Sequence, residues 1–195
     1  ARASYHDLLE PDAGYTPDAQ IELLSIAVRR YADSGRLALD RLTLLDITSL
    51  PPINGLTPQP AWRIHAGWES YPRPDCRDCV AFSLGGGLGL AAETRWPWRT
   101  VWFALPGLAF AYGDAFADDY RAGPGLTVGA LLQPTARWKV LAGADWLNYR
   151  LGETGTATRA VVRQNLALDR DWSLGLDWRY LEGIHEFGIG LRVYF

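Results

Sequence analysis

The sequence predicts an all-β protein, an antiparallel up-and-down transmembrane β-barrel of about twelve strands, eleven of them visible in the chain. Three observations carry that expectation. Apolar and polar residues alternate with a period of two along most of the chain. The apolar side of two segments, 62–68 and 138–146, carries tryptophan near both ends. No run reaches the roughly 18 apolar residues that a membrane helix needs.

The strand segments follow in order. Residues 1–8, 19–31 and 36–49 open the series, and the phase of 36–49 switches near Arg41 to Thr43, which predicts a bulge. In the fourth segment Trp62, Ile64, Ala66 and Trp68 fall on one side and Arg63, His65, Gly67 and Glu69 on the other. A helix would scatter these residues around its circumference, whereas a strand sorts them onto two faces. Segment 80–92 sets Val80, Phe82, Leu84, Leu88 and Leu90 against Ser83, Gly85, Gly87 and Gly89. Segment 99–112 contains Pro106, which cannot donate a ladder hydrogen bond and predicts a bulge or local break. Residues 124–134 follow. Trp138, Val140, Ala142, Ala144 and Trp146 then alternate with Lys139, Leu141, Gly143, Asp145 and Leu147. Segment 157–169 precedes Trp172, Leu174, Leu176, Trp178 and Tyr180, and the last strand places Phe187, Ile189, Leu191, Val193 and Phe195 on one face.

Composition is consistent with this reading and excludes others. The 195 residues carry a formal net charge of −3, so no basic field points to nucleic acid. Charged residues make up 21%, below the quarter usual in soluble domains. Mean hydropathy is −0.09, as expected where lipid-facing and lumen-facing residues average out. No linker or charge run divides the chain, so 1–195 reads as one domain, part of a longer protein. The two cysteines, Cys76 and Cys79, form a lone CxxC. It lacks the second ligand pair of a zinc site and predicts a local disulfide. No metal and no cofactor are predicted.

An open sheet edge in hydrocarbon would leave about ten N–H and C=O groups unpaired, each costing several kcal/mol. Closure is therefore expected. Eleven strands is an odd number, so a twelfth, upstream of Ala1, is the simplest completion; the alternative is a count that is off by one within 36–60. The terminal aromatic Phe195 on an alternating strand resembles the signal that outer-membrane barrels present to their insertion machinery. With that terminus periplasmic, loops near 32–35, 70–79, 113–123, 152–156 and 182–185 face outward, and those near 9–18, 50–60, 93–98, 134–136 and 169–171 face the periplasm.

The opening Ala3-Ser4-Tyr5-His6-Asp7-Leu8-Leu9-Glu10-Pro11-Asp12-Ala13-Gly14-Tyr15, the stretch Ala19 to Leu24 and Arg41 to Leu50 are distinctive. Together with the last strand they resemble the C-terminal β-barrel region of bacterial envelope proteins whose N-terminal half is a lacto-N-biosidase-like periplasmic domain (the Lnb N-terminal type). The resemblance implies a two-part protein, in which a periplasmic hydrolase-like domain is tethered to a barrel in the bacterial outer membrane. Its implied partners are outer-membrane lipid, the insertion machinery and that periplasmic domain.

The inward faces hold the candidate functional residues. A lumen charge cluster is predicted from Arg63, Glu69, Asp145, Arg159, Arg163, Asp177, Arg179 and Arg192, with Arg29 and Lys139 beside it. Such groups either brace the wall as paired charges or line a narrow pore, and Arg159, Arg163, Arg179 and Arg192 together suggest an anion site. An enzymatic alternative would use His65 or His6 with Ser4 and Glu69 to modify a lipid or envelope substrate. Gly85, Gly87 and Gly89 lack the residues of a phosphate loop and read as small lumen residues. Trp96-Pro97-Trp98, between Arg95 and Arg99, reads as an interfacial anchor. The loop 113–120 reads as solvated and external. The expectation is an anchor or narrow pore. The alternatives are a barrel enzyme, or a soluble barrel that holds an apolar ligand against inward-facing indoles.

Overall fold

The computed structural model describes residues 3–10, 16–30, 35–53, 59–71, 79–169, 172–181 and 183–193. The alternating segments form β1 (Ala3–His6), β2 (Ala19–Arg30), β3 (Leu37–Ser49), β4 (Ala61–Ser70), β5 (Val80–Thr94), β6 (Arg99–Tyr112), β7 (Tyr120–Thr135), β8 (Trp138–Tyr149), β9 (Leu151–Gly152), β10 (Gly155–Ala167), β11 (Trp172–Leu181) and β12 (Ile184–Val193). All eleven expected segments are strands, and no helix occurs among the described residues. Pairing is antiparallel and sequential, so the sheet is a meander. The exception is β9, a two-residue strand that pairs with β7 while β8 pairs with β10.

The turns alternate between two ends. Among the described residues, the near end carries 7–10, 16–18, 50–53, 59–60, 95–98, 136–137 and 168–169, and the far end carries 113–119 and 150–154. The sheet curls like part of a barrel. Arg159 on β10 meets Glu69 on β4 at 2.8 Å, although five strand spacings separate them, about 24 Å in a flat sheet. Among the described residues β1 and β12 do not pair with each other. An odd number of sequential strands leaves them running in the same direction.

Burial follows the alternation. Trp62, Trp68, Leu88, Leu108 and Trp146 are exposed on the convex side. Ala61, Ala81, Val101, Leu105, Leu131 and Leu141 are buried on the concave side. Register shifts at Ala27/Val28 of β2 and at Thr43/Leu45 of β3 bracket the expected phase switch. Pro106 interrupts the ladder to β5 without a register shift, while its pairing with Leu126 of β7 continues.

The first strand is shorter than expected, ending at His6 rather than at residue 8. Asp7 then turns the chain. Its Oδ1 accepts from Leu9 N at 3.2 Å, and its carbonyl accepts from Glu10 N at 2.9 Å. An aspartate that satisfies nearby backbone in this way favours a turn over a continued ladder. The turn carries Leu8 and Leu9 into the concave interior, where they pack with Leu50, Val101, Leu105 and Leu141. This apolar cluster fills the near end.

Candidate functional site

The concave face is built in three layers. At the near end, the buried backbone of the 7–10 turn is held by side chains from distant strands. Lys139 Nζ donates to Leu8 O at 3.4 Å, and Asn165 Nδ2 donates to Leu9 O at 3.1 Å. Arg99 turns inward, donating to Asp18 Oδ1 at 2.9 Å and to Glu93 Oε2 at 2.9 Å. The expectation that Arg99 joins the Trp96 anchor is therefore corrected. Arg95 is exposed, as are Trp96 (88%) and Trp98 (48%), but Arg99 belongs to the interior.

The middle layer contains most of the expected charge cluster, arranged in pairs. Arg63 grips Asp46 with two nitrogens, at 2.8 and 3.3 Å, the planar fork that suits a carboxylate. Arg159 Nη1 donates to Glu69, which also accepts from Tyr71 Oη at 3.1 Å. Thr127 donates to Asp145 at 2.6 Å, and Arg163 reaches Gln20 at 3.5 Å. Between Arg63, His65, Thr127, Asp145 and Arg159 lies a cavity of about 50 Å³, room for a few waters. His65 lies over Gly85, where a Cβ would stand 2.5 Å from the imidazole Cε1. That glycine provides the space the ring fills.

At the far end Arg29 and Arg179 meet Asp40 and Glu186. Arg29 bonds both carboxylates, at 2.6 Å to Asp40, and Arg179 lies 3.4 and 3.3 Å from them. This quartet ties β2 and β3 to β11 and β12, across the gap between the two edges of the sheet. Asp177 lies beside Gly188, where a Cβ would sit 2.7 Å from its carboxylate. The 113–119 loop folds back. Asp114, Asp118 and Asp119 are exposed as expected, but Phe116 is 3% exposed and packs against Tyr71. The reading of the whole loop as solvated is corrected, because an aromatic ring gains more from burial there than from water. Arg121 lies over the rings of Phe116 and Tyr149 at 4.4 and 4.3 Å.

Two of the four arginines of the expected anion site face carboxylates. Arg159 and Arg179 each face a carboxylate and Arg163 an amide. A lumen guanidinium that is largely buried and already neutralised by a carboxylate, as at Arg159, gains little from a further anion. Arg192 has its side chain outside the described residues, as do Ser4 and His6, the other members of the hydrolytic alternative. Glu69 accepts from both Arg159 and Tyr71 through Oε1. Cys79 is disulfide-bonded, and Cys76, the other cysteine of the chain, lies outside the described residues.

Sequence reasoning missed Asp46, Asp40, Glu186, Asp18 and Arg121. Asp46 and Asp40 belong to the bulged strand, where an extra residue changes which positions face inward. The phase switch at Arg41 to Thr43 was the available signal.

A family model described as "Domain of unknown function (DUF7840)" matches residues 1–194. A search among curated proteins returns no match.

Proposed function

We propose, for a chain that belongs to the DUF7840 family, that it closes into a transmembrane β-barrel of about twelve strands in a bacterial outer membrane. There it serves as an anchor with a filled lumen. One observation carries the reading, the levels at which the exposed indoles lie. Trp62 and Trp68 stand at opposite ends of β4, and Trp138 and Trp146 at opposite ends of β8, all on the convex side. Six to eight residues at about 3.4 Å each, tilted by about 40°, separate the two levels by roughly 16–21 Å, close to the apolar band of an outer-membrane barrel. Leu84, Leu108 and Val128 lie exposed between them, and Leu88 and Leu126 stand opposite Trp62 and Trp146. A soluble monomer rarely exposes so continuous an apolar surface.

The soluble alternative requires indoles inside, and these point outward. Between anchor and pore, the interior favours the anchor. Its charges neutralise one another, and the Leu8–Leu9 turn fills the near end. Closure needs one further strand, antiparallel to both β1 and β12, which run the same way. The partner proposed on the sequence resemblance is a periplasmic hydrolase-like domain of the same protein. Phe195, the proposed contact for insertion machinery, lies outside the described residues.

The test is fractionation of the expressed protein, with gel mobility before and after boiling. Outer-membrane recovery with heat-modifiable mobility supports the reading. A protein that stays in the soluble fraction without detergent refutes it.

A further inference from the structure

Strand register aligns Trp102, Ala130, Ala142, Val162 and Trp178 in one row across β6, β7, β8, β10 and β11. The neighbouring row contains Val128 and Ala144. Both rows lie on the convex side, where their small side chains leave a hollow between taller ones. The hollow has a volume of about 700 Å³ and no charged side chain in its lining. It is a broad, open depression, suited to a chain lying along the surface and not to an enclosed ligand. Ala130 on its floor is only 6% exposed, although it faces outward. Trp102 and Trp178 wall it, four strand spacings or about 19 Å apart.

At the near end, the turns that flank β6 and β7 each carry an exposed arginine, while the β10–β11 turn carries exposed Asp169. Arg95 lies in the β5–β6 turn and Arg137 in the β7–β8 turn, both exposed and about two strand spacings, roughly 10 Å, apart in the sheet. Arg95 keeps 86% of its side chain exposed even with its Nε on Glu93. Exposed Trp96, Trp98 and Trp138 stand at the same level. Guanidinium groups and indoles at one rim, above an uncharged trough, match the order of parts in a phospholipid, phosphate first and acyl chains below. A second copy of the chain fits less well, since a two-fold contact would set hollow against hollow.

We propose that this trough binds one phospholipid, its acyl chains over Ala130, Ala142 and Ala144 and its phosphate against Arg95 and Arg137. The proposal rests on the membrane reading above, and the experiment separates the two. The full-length protein is purified in a mild detergent, given dioleoyl phosphatidylglycerol in mixed micelles, and weighed by native mass spectrometry. One retained lipid per chain is expected. Ala142→Phe, which fills the floor from an outward position where aromatics are tolerated, lowers occupancy by about tenfold. Arg95→Glu with Arg137→Glu lowers it similarly while leaving the trough intact. Heat-modifiable mobility of each variant reports barrel formation independently. Equal retention in wild type and Ala142→Phe, or in the charge-reversed variant, overturns the site and leaves the barrel standing. Solubility without detergent overturns both readings before any lipid is added.

Discussion

Arg159 on β10 and Glu69 on β4 are 90 positions apart in sequence and in contact, Nη1 to Oε1 at 2.8 Å, across the concave interior. Their side chains are 19% and 25% exposed, so each is largely withdrawn from water. Removing one partner leaves the other charge buried and uncompensated, which costs more than the pair itself contributes. Arg159→Met is therefore expected to destabilise the protein by about 2–4 kcal/mol, scaled down slightly for partial exposure. Glu69→Gln with Arg159→Met removes both charges and should recover at least half of the loss. Urea midpoints in detergent measure both, and a double variant no more stable than Arg159→Met alone would show that the charges are not coupled.

The interior apolar cluster gives a second expectation. Leu9 is 1% exposed and packs inside the near end, whereas Leu108 is 72% exposed on the convex side. Leu9→Ala opens a cavity and should cost about 2–5 kcal/mol. The same truncation at Leu108 removes little burial and should stay near the roughly 0.5 kcal/mol of an ordinary surface change. Equal losses at the two positions would mean that the 7–10 turn is not packed in the lumen.

Much of this arrangement is legible in the sequence because a strand's period of two survives tertiary folding. Trp62 and Trp68 face out and Arg63, His65 and Glu69 face in, as alternation requires. What the period does not encode is who meets whom. Glu69 pairs with Arg159 only because the sheet curls, a property of the whole wall. Asp46 pairs with Arg63 only because a bulge at Thr43/Leu45 resets the inward phase of β3. The inward turn at Asp7 and the return of Phe116 escape for a different reason. Both are loops, and a loop's burial depends on the space that the strands leave.

Gly85 tests the fit of one such space. A methyl group at this position would meet His65 Cε1 at 2.5 Å, and both backbones are fixed by the β4–β5 ladder. Gly85→Ala is expected to cost about 1–3 kcal/mol through overpacking. His65→Ala removes the obstructing ring, so the double variant should lose less than the sum of the single changes, with a coupling of about 1 kcal/mol. Additive losses would place the imidazole elsewhere.

The convex face separates lipid from water directly. Leu84 is 42% exposed on β5 and pairs with Ala66, between the levels of Trp62 and Trp68. Against water, Leu84→Arg is an ordinary surface substitution worth about 0.5 kcal/mol or less. Against hydrocarbon, an arginine at mid-depth costs about 2–4 kcal/mol, falling toward zero at the interface. Refolding equilibria in lipid vesicles are therefore expected to show a loss of about 2–4 kcal/mol for Leu84→Arg and less than half of that for Thr94→Arg, at the near-end terminus of the same strand. The dependence on depth is the decisive measurement, because a water-exposed sheet has no reason to distinguish these two outward positions. A flat response along β5 would remove the bilayer from the account and leave a curled sheet whose apolar side must be covered by something else.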